Sequence, residues 1–103
     1  MKMKDLAARA HRCSKSHGFW ENMDPADPLV VMTKLALVTS EVGEAVEAVR
    51  DDNDAGLLEE LADIVIRVMD LAGAKGLCLT AAVHAKIQKN ENRPYQHGRK
   101  VGV

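Results

Sequence analysis

The chain has 103 residues, 47% of them apolar, and a formal net charge of −1. That length fits one domain over residues 1–103 with a modest core, and the near-neutral balance gives no field to draw in a nucleic-acid polymer or an acidic membrane. The two cysteines form no CxxC pair, which suits free thiols in a reducing compartment. No apolar run reaches the roughly 18 residues of a membrane span, and the N-terminus lacks the apolar stretch of a secretory signal, so a cytoplasmic protein is expected.

Four helical segments are expected. Met3, Leu6, Ala10, Cys13 and His17 recur at helical spacing, predicting a first helix from about Lys4 to His17, ended by Gly18. GFWENMDPADP follows as a loop. Asp27 and Pro28 are a good N-cap and first-turn pair, so the second helix runs from Pro28 to about Asp51. DDND is the next turn. Asn53 or Asp54 caps a third helix to about Lys75, closed by Gly73 and Gly76. Thr80 caps a fourth through about Asn92, and Pro94 stops it. The tail from about residue 96 is expected to be loose.

Only Phe19, Trp20 and Tyr95 are aromatic, so the core is drawn from Ala, Leu, Val, Ile and Met. These suit helices packed on helices rather than a β-sandwich. The fold class is therefore all-α: a four-helix-bundle-like module with two long central helices, antiparallel across a short turn, and two shorter flanking ones.

The central helices carry the chemistry. In SEVGEAVEAV, Leu35, Val38, Val42, Ala45, Val46 and Val49 form an apolar stripe, with Glu41 on its flank and Glu44 about 60° further round. In the third helix Leu57, Leu61, Ile64, Val65, Val68 and Ala72 form the stripe, and Glu60 and Asp63 share one flank. Arg67 lies on that flank too, as a structural partner for Asp63. Glu47, Glu59 and Asp70 point elsewhere. Antiparallel packing brings the two acidic pairs face to face. Four carboxylates in one volume repel one another unless cations fill the space. All-oxygen ligands select a hard ion, Mg²⁺ or Mn²⁺, and the absence of Glu-x-x-His argues against a di-iron centre. A single ExxE more often marks a solvated helix face than a site; two on adjacent helices carry more.

E-V-G-E at 41–44, then fifteen residues, then E-L-A-D at 60–63, resembles the ExxE…ExxD signature of the MazG-like, all-α nucleoside triphosphate pyrophosphohydrolases. K-I-Q-K-N-E-N-R-P-Y-Q-H-G at 86–98 and G-F-W at 18–20 extend the likeness across most of the chain. The resemblance implies Mg²⁺-dependent hydrolysis of a nucleoside triphosphate (or deoxynucleoside triphosphate) to the monophosphate and pyrophosphate, as in nucleotide-pool house-cleaning. It also implies metal binding by Glu41, Glu44, Glu60 and Asp63. Ser40 stands where some members carry a further Glu. The ions would cancel charge at phosphorus, and Glu41 or Glu44 would accept the proton of the attacking water. Lys86, Asn90 and Arg93 share one face of the fourth helix and, with the tail likeness, are candidates for binding phosphate; Trp20 is the candidate platform for a base, with Phe19 as a plug of the bundle end. His11, His17 and His84 fit no metal spacing and are expected at the core edge or surface.

Two other readings remain: a non-catalytic helical interaction module, and a divalent-metal binder without turnover. The third helix is apolar on its far side as well, at Ala62, Ile66 and Met69, and the second carries Leu37 and Ala48 off its stripe. Two short flanking helices cover too little of this, so a homo-oligomer, a dimer or tetramer, is expected.

Overall fold

In the computed structural model, residues 2–94 are described. They form α1 (Met3–Ser16), α2 (Pro28–Arg50), α3 (Asp54–Ala74) and α4 (Leu79–Glu91), with no strand among them. Tyr95 and the expected loose tail lie outside the described residues. The helix limits agree with the sequence reading to within a residue or so. Asp27 caps α2 by accepting from the Leu29 N–H at 2.9 Å, and Asn53 caps α3 by accepting from Gly56 at 2.9 Å. Thr80 is not the cap of α4: the helix begins at Leu79 after Cys78, with no side-chain cap. Gly73 lies inside α3, and the chain turns at Gly76, where φ is +68°.

The antiparallel hairpin of α2 and α3 is the spine of the molecule, and α1 lies along α3. The seam of the hairpin differs from the expected one. On α2 the covered positions are Val31, Lys34, Val38, Glu41, Ala45 and Ala48. On α3 a matching row runs through Leu57, Glu60, Ile64, Arg67, Leu71 and Ala74. Both rows advance by alternating steps of three and four, the spacing of two helices packed side by side. The acidic residues are thus in the seam, not on its flank. Ala45 and Ala48 have no bulk to hold the helices apart, and charged members of the seam pair across it.

The apolar stripe assigned to the core is split: Val38 and Ala45 on α2, and Leu57, Ile64, Val68 and Ala72 on α3, are covered, and the rest is left outside. Leu35, Val42, Val46 and Val49 on α2, and Leu61 and Val65 on α3, are exposed in the single chain. Met69, expected on the outer side of α3, is instead among its most buried residues, 6% exposed, because α1 packs over it. Ala62 and Ile66 remain exposed beside α1. An apolar groove of about 630 Å³ runs between these two helices, floored by Leu61, Ala62, Val65 and Ile66.

Candidate functional site

Where α2 crosses α3 at mid-height, Glu41, Glu60 and Asp63 converge. Each offers a carboxylate oxygen within 4.8 Å of the others. The Glu41 side chain is 12% exposed, Glu60 is half-buried and Asp63 opens to solvent. Glu44 is exposed one turn further along α2 and outside this closest group, yet near enough to act on Glu60.

The electrostatics are those of carboxyls forced together. Glu60 is pushed up to about 7, chiefly by sharing a proton with Glu41, then by burial and by Glu44. Glu41 is held below its ordinary value, first by that shared proton from Glu60 and then by Arg67, which together outweigh its burial. Crowding thus favours the proton on Glu60 and the charge on Glu41.

Arg67 reaches across the seam to Glu41. Its Nη2 lies 3.0 Å and its Nε 3.1 Å from the same oxygen, Oε1. This corrects the expectation that Arg67 partners Asp63: Glu41 comes closer from the facing helix than Asp63 does from one turn back. Apart from the proton the two carboxyls share, the other oxygen of Glu41, Oε2, is buried without a hydrogen-bond partner among the described residues, as is Oε2 of Glu60. Bare buried carboxylate oxygens are costly. An all-oxygen donor set with two orphaned atoms fits a hard divalent cation held by Glu41, Glu60 and Asp63. Beside these residues opens a cavity of about 330 Å³, walled by α1 and α3 residues and by Phe19.

Of the aromatic pair, Phe19 departs from the expectation. Phe19 is no plug: it is 61% exposed and edges the cavity. Trp20 is half-buried. Its Nε1–H donates to both oxygens of Asp70, at 3.0 and 3.1 Å. The ammonium of Lys34 sits 4.4 Å from its ring centroid and donates to the Phe19 carbonyl at 2.6 Å.

Asp70 does not point away as expected. It is the centre of a second cluster. Ser14 Oγ donates to its Oδ2 at 2.6 Å, and His11 Nδ1 lies 2.8 Å from its Oδ1. The His11 ring meets Trp20 edge-on at 6.3 Å. This node ties α1 and the loop after it to α3. Its signal in the sequence was a single Asp in an otherwise apolar stretch, with His11 and Ser14 three apart on one face of α1.

Lys86, Asn90 and Arg93 are not brought to the carboxylates within one chain. Among the described residues α4 touches only α1 and α3, and lightly, and it contributes nothing to the cavity beside Glu41. Asn90 Oδ1 is buried without a partner among those residues.

The fold and the cluster define a class: an all-helical module with a carboxylate site suited to a divalent cation. A family model for the MazG nucleotide pyrophosphohydrolase domain matches residues 31–97, and the chain belongs to that family. The matched segment holds α3, α4 and nearly all of α2; α1 and the loop bearing Trp20 precede it. No curated protein and no solved structure matches the chain. Family membership points to a nucleotide substrate and to pyrophosphohydrolase activity. Among the described residues no helix is long and apolar enough to cross a membrane.

Proposed function

We propose that the protein hydrolyses nucleoside or deoxynucleoside triphosphates to the monophosphate and pyrophosphate with Mg²⁺ or Mn²⁺, clearing unwanted nucleotides in the cytoplasm, where its two free cysteines stay reduced. The reading rests on one observation above others: Glu41 and Glu60 each keep a buried oxygen unpartnered beside Asp63, in a chain of the MazG family. Glu41, Glu60 and Asp63 would hold the metal, with Glu44 joining from the next turn. When bound, the ion supplies charge neutralisation at phosphorus and lowers the pKa of water. The chain's own residues do the rest. The walls of the cavity exclude bulk water from one side of the phosphates. A carboxylate of the cluster, Glu41 or Glu44, accepts the proton of the attacking water; Glu41 is buried at its centre and Glu44 is exposed one turn along.

We further infer that residues 1–103 work as one module that functions as a homo-oligomer. The exposed stripe of Leu35, Val42, Val46, Leu61 and Val65 supports this, because a face so apolar seeks cover. A second copy would also supply the phosphate-binding groups that one chain keeps at a distance: the cations Lys86 and Arg93 and the amide of Asn90, on or just after α4, would reach the phosphates of a neighbour's substrate. Trp20, pinned to Asp70, would serve the nucleoside end through its remaining ring edge.

The test is incubation with a panel of nucleoside triphosphates, with and without Mg²⁺, followed by pyrophosphate detection and light scattering. Metal-dependent release of pyrophosphate from at least one substrate is expected, from a dimer or larger species. No release across the panel would leave a non-catalytic module; a compact active monomer would refute the assembly.

A further inference from the structure

Resting on that reading, we propose that Arg67 is an exchangeable counter-ion: it holds Glu41 in the metal-free protein and moves onto the substrate's phosphates when a divalent ion takes Glu41. The pairing seen is a poor one for an arginine. A guanidinium grips a carboxylate best through two parallel bonds to two oxygens. Here Nε donates to Oε1 and Nη2 lies 3.0 Å from the same oxygen, while Oε2 receives no donor among the described residues. Arg67 thus offsets the charge of Glu41 without satisfying it. The arrangement is stable only while nothing better is present.

The surroundings leave Arg67 free to turn. Its side chain is 39% exposed. It borders two cavities: the one of about 330 Å³ shared with Glu41 and Asp63, and one of about 180 Å³ shared with Phe19 and Lys34. Among the described residues lining the larger cavity, Arg67 is the one cation. Lys34, the other cation nearby, is held by the Phe19 carbonyl and the Trp20 ring. A polyphosphate at the carboxylates would therefore find Arg67 within a side-chain rotation. It would offer several oxygens at a spacing the guanidinium can grip in two parallel bonds. A cation arriving at Glu41 repels Arg67 from the same oxygen, so metal and substrate each favour the swap.

The exchange predicts opposite effects of one substitution on two ligands. Removing the competing cation in Arg67→Gln should tighten Mn²⁺ binding without nucleotide by roughly tenfold, read by the loss of the free-ion paramagnetic resonance signal. The same variant should bind inorganic tripolyphosphate in Ca²⁺ at least about tenfold more weakly by calorimetry. Arg67→Lys keeps the charge and loses the fork, so its Mn²⁺ affinity should stay near that of the natural chain while tripolyphosphate binding still falls. In the natural chain the Arg67 Nε–H resonance, assigned by its loss in Arg67→Lys, should shift when Mg²⁺ is added and again with tripolyphosphate; this holds even if a variant fails to fold. Unchanged or weaker Mn²⁺ binding by a folded Arg67→Gln, or an Nε–H resonance indifferent to Mg²⁺, overturns the exchange alone. A natural chain that takes up no Mn²⁺ overturns the metal site itself, and the exchange with it.

Discussion

Asp63 and Asp70 stand seven residues apart on α3, two turns along one side of the helix, and their surroundings are opposites. Asp70 is 13% exposed and receives donors from Ser14, Trp20 and His11, so both its oxygens are occupied by groups of the chain. Asp63 joins Glu41 and Glu60, where the guanidinium of Arg67 is spent on Glu41 and two buried oxygens lack a donor from any other group among the described residues. The same functional group is structural in the first place and poised for a ligand in the second. What separates them is the count of donors, and with it exposure: Asp63 opens to solvent, whereas Asp70 is enclosed by its partners. A satisfied carboxylate stabilises what it binds together; an unsatisfied one stabilises whatever cation arrives.

The largest expected effect breaks the acidic centre without touching the fold. Asp63→Asn should lower metal-dependent turnover by at least about 100-fold. Its melting temperature without metal should hold or rise, since a mutually repelling charge is gone. Activity within a few fold of the natural chain at low Mg²⁺ would remove Asp63 from the ligands.

Asp70→Ala is the mirror experiment. It strips three donors of their acceptor, with Ser14 buried and Trp20 half-buried, and should cost about 2–4 kcal/mol in a denaturant titration. Mn²⁺ affinity should change little in whatever fraction stays folded. A loss of stability under about 0.5 kcal/mol would mean that the node does not hold α1 in place.

A smaller effect should appear in pH. Glu60 has its folded-state value raised to about 7, so the folded protein holds that proton more tightly than the unfolded chain. Its contribution is fully present below the ordinary value of 4.5 and is lost as pH rises toward about 7. Glu41, shifted downward, contributes above that ordinary value and loses its share only in more acid solution. In chelator, melting temperature should therefore decline between about pH 5 and about pH 8. Glu60→Gln should flatten that decline, and so should saturating Mg²⁺ in the natural chain. A slope that survives in Glu60→Gln would assign it elsewhere.

Helix limits and the meeting of Glu41, Glu60 and Asp63 were legible because caps, turns and ExxE spacing act locally; Glu44 stays outside that closest group. Which face of each helix meets the other was not. Hydropathy placed Leu35, Val42 and Val46 inside, whereas the hairpin closes on Ala45, Ala48 and a Glu41–Arg67 pair. Hydropathy rates a residue by its own transfer energy; a charge that brings its partner across the seam escapes that accounting, and so does a small residue that allows close approach. Arg67 and Asp63 looked like partners because i, i+4 spacing is visible in the sequence, while the facing helix is not. Asp70 was passed over for the same reason: its donors lie 50 to 59 residues away.

The finest comparison uses two glycines, one beside each centre. A Cβ at Gly43, in the turn between Glu41 and Glu44, would meet nothing within 4 Å among the described residues. Alanine there should gain helix propensity and stabilise by about 1 kcal/mol. A Cβ at Gly73, one turn past Asp70, would lie 3.0 Å from both Cβ and Cγ of His11. Those atoms sit at the root of the ring and cannot swing aside without moving α1 or breaking the bond from His11 to Asp70. The cost of that shift, about 1–3 kcal/mol, should outweigh the propensity gain, and Gly73→Ala should be net destabilising by about 1 kcal/mol. Paired urea titrations at equal protein concentration would read both. If Gly73→Ala stabilised as much as Gly43→Ala, the close approach of α1 to α3 would be looser than the structure has it. If Gly43→Ala destabilised instead, and by more at higher protein concentration, something outside the single chain would occupy that space, with a second copy against α2 as the first candidate.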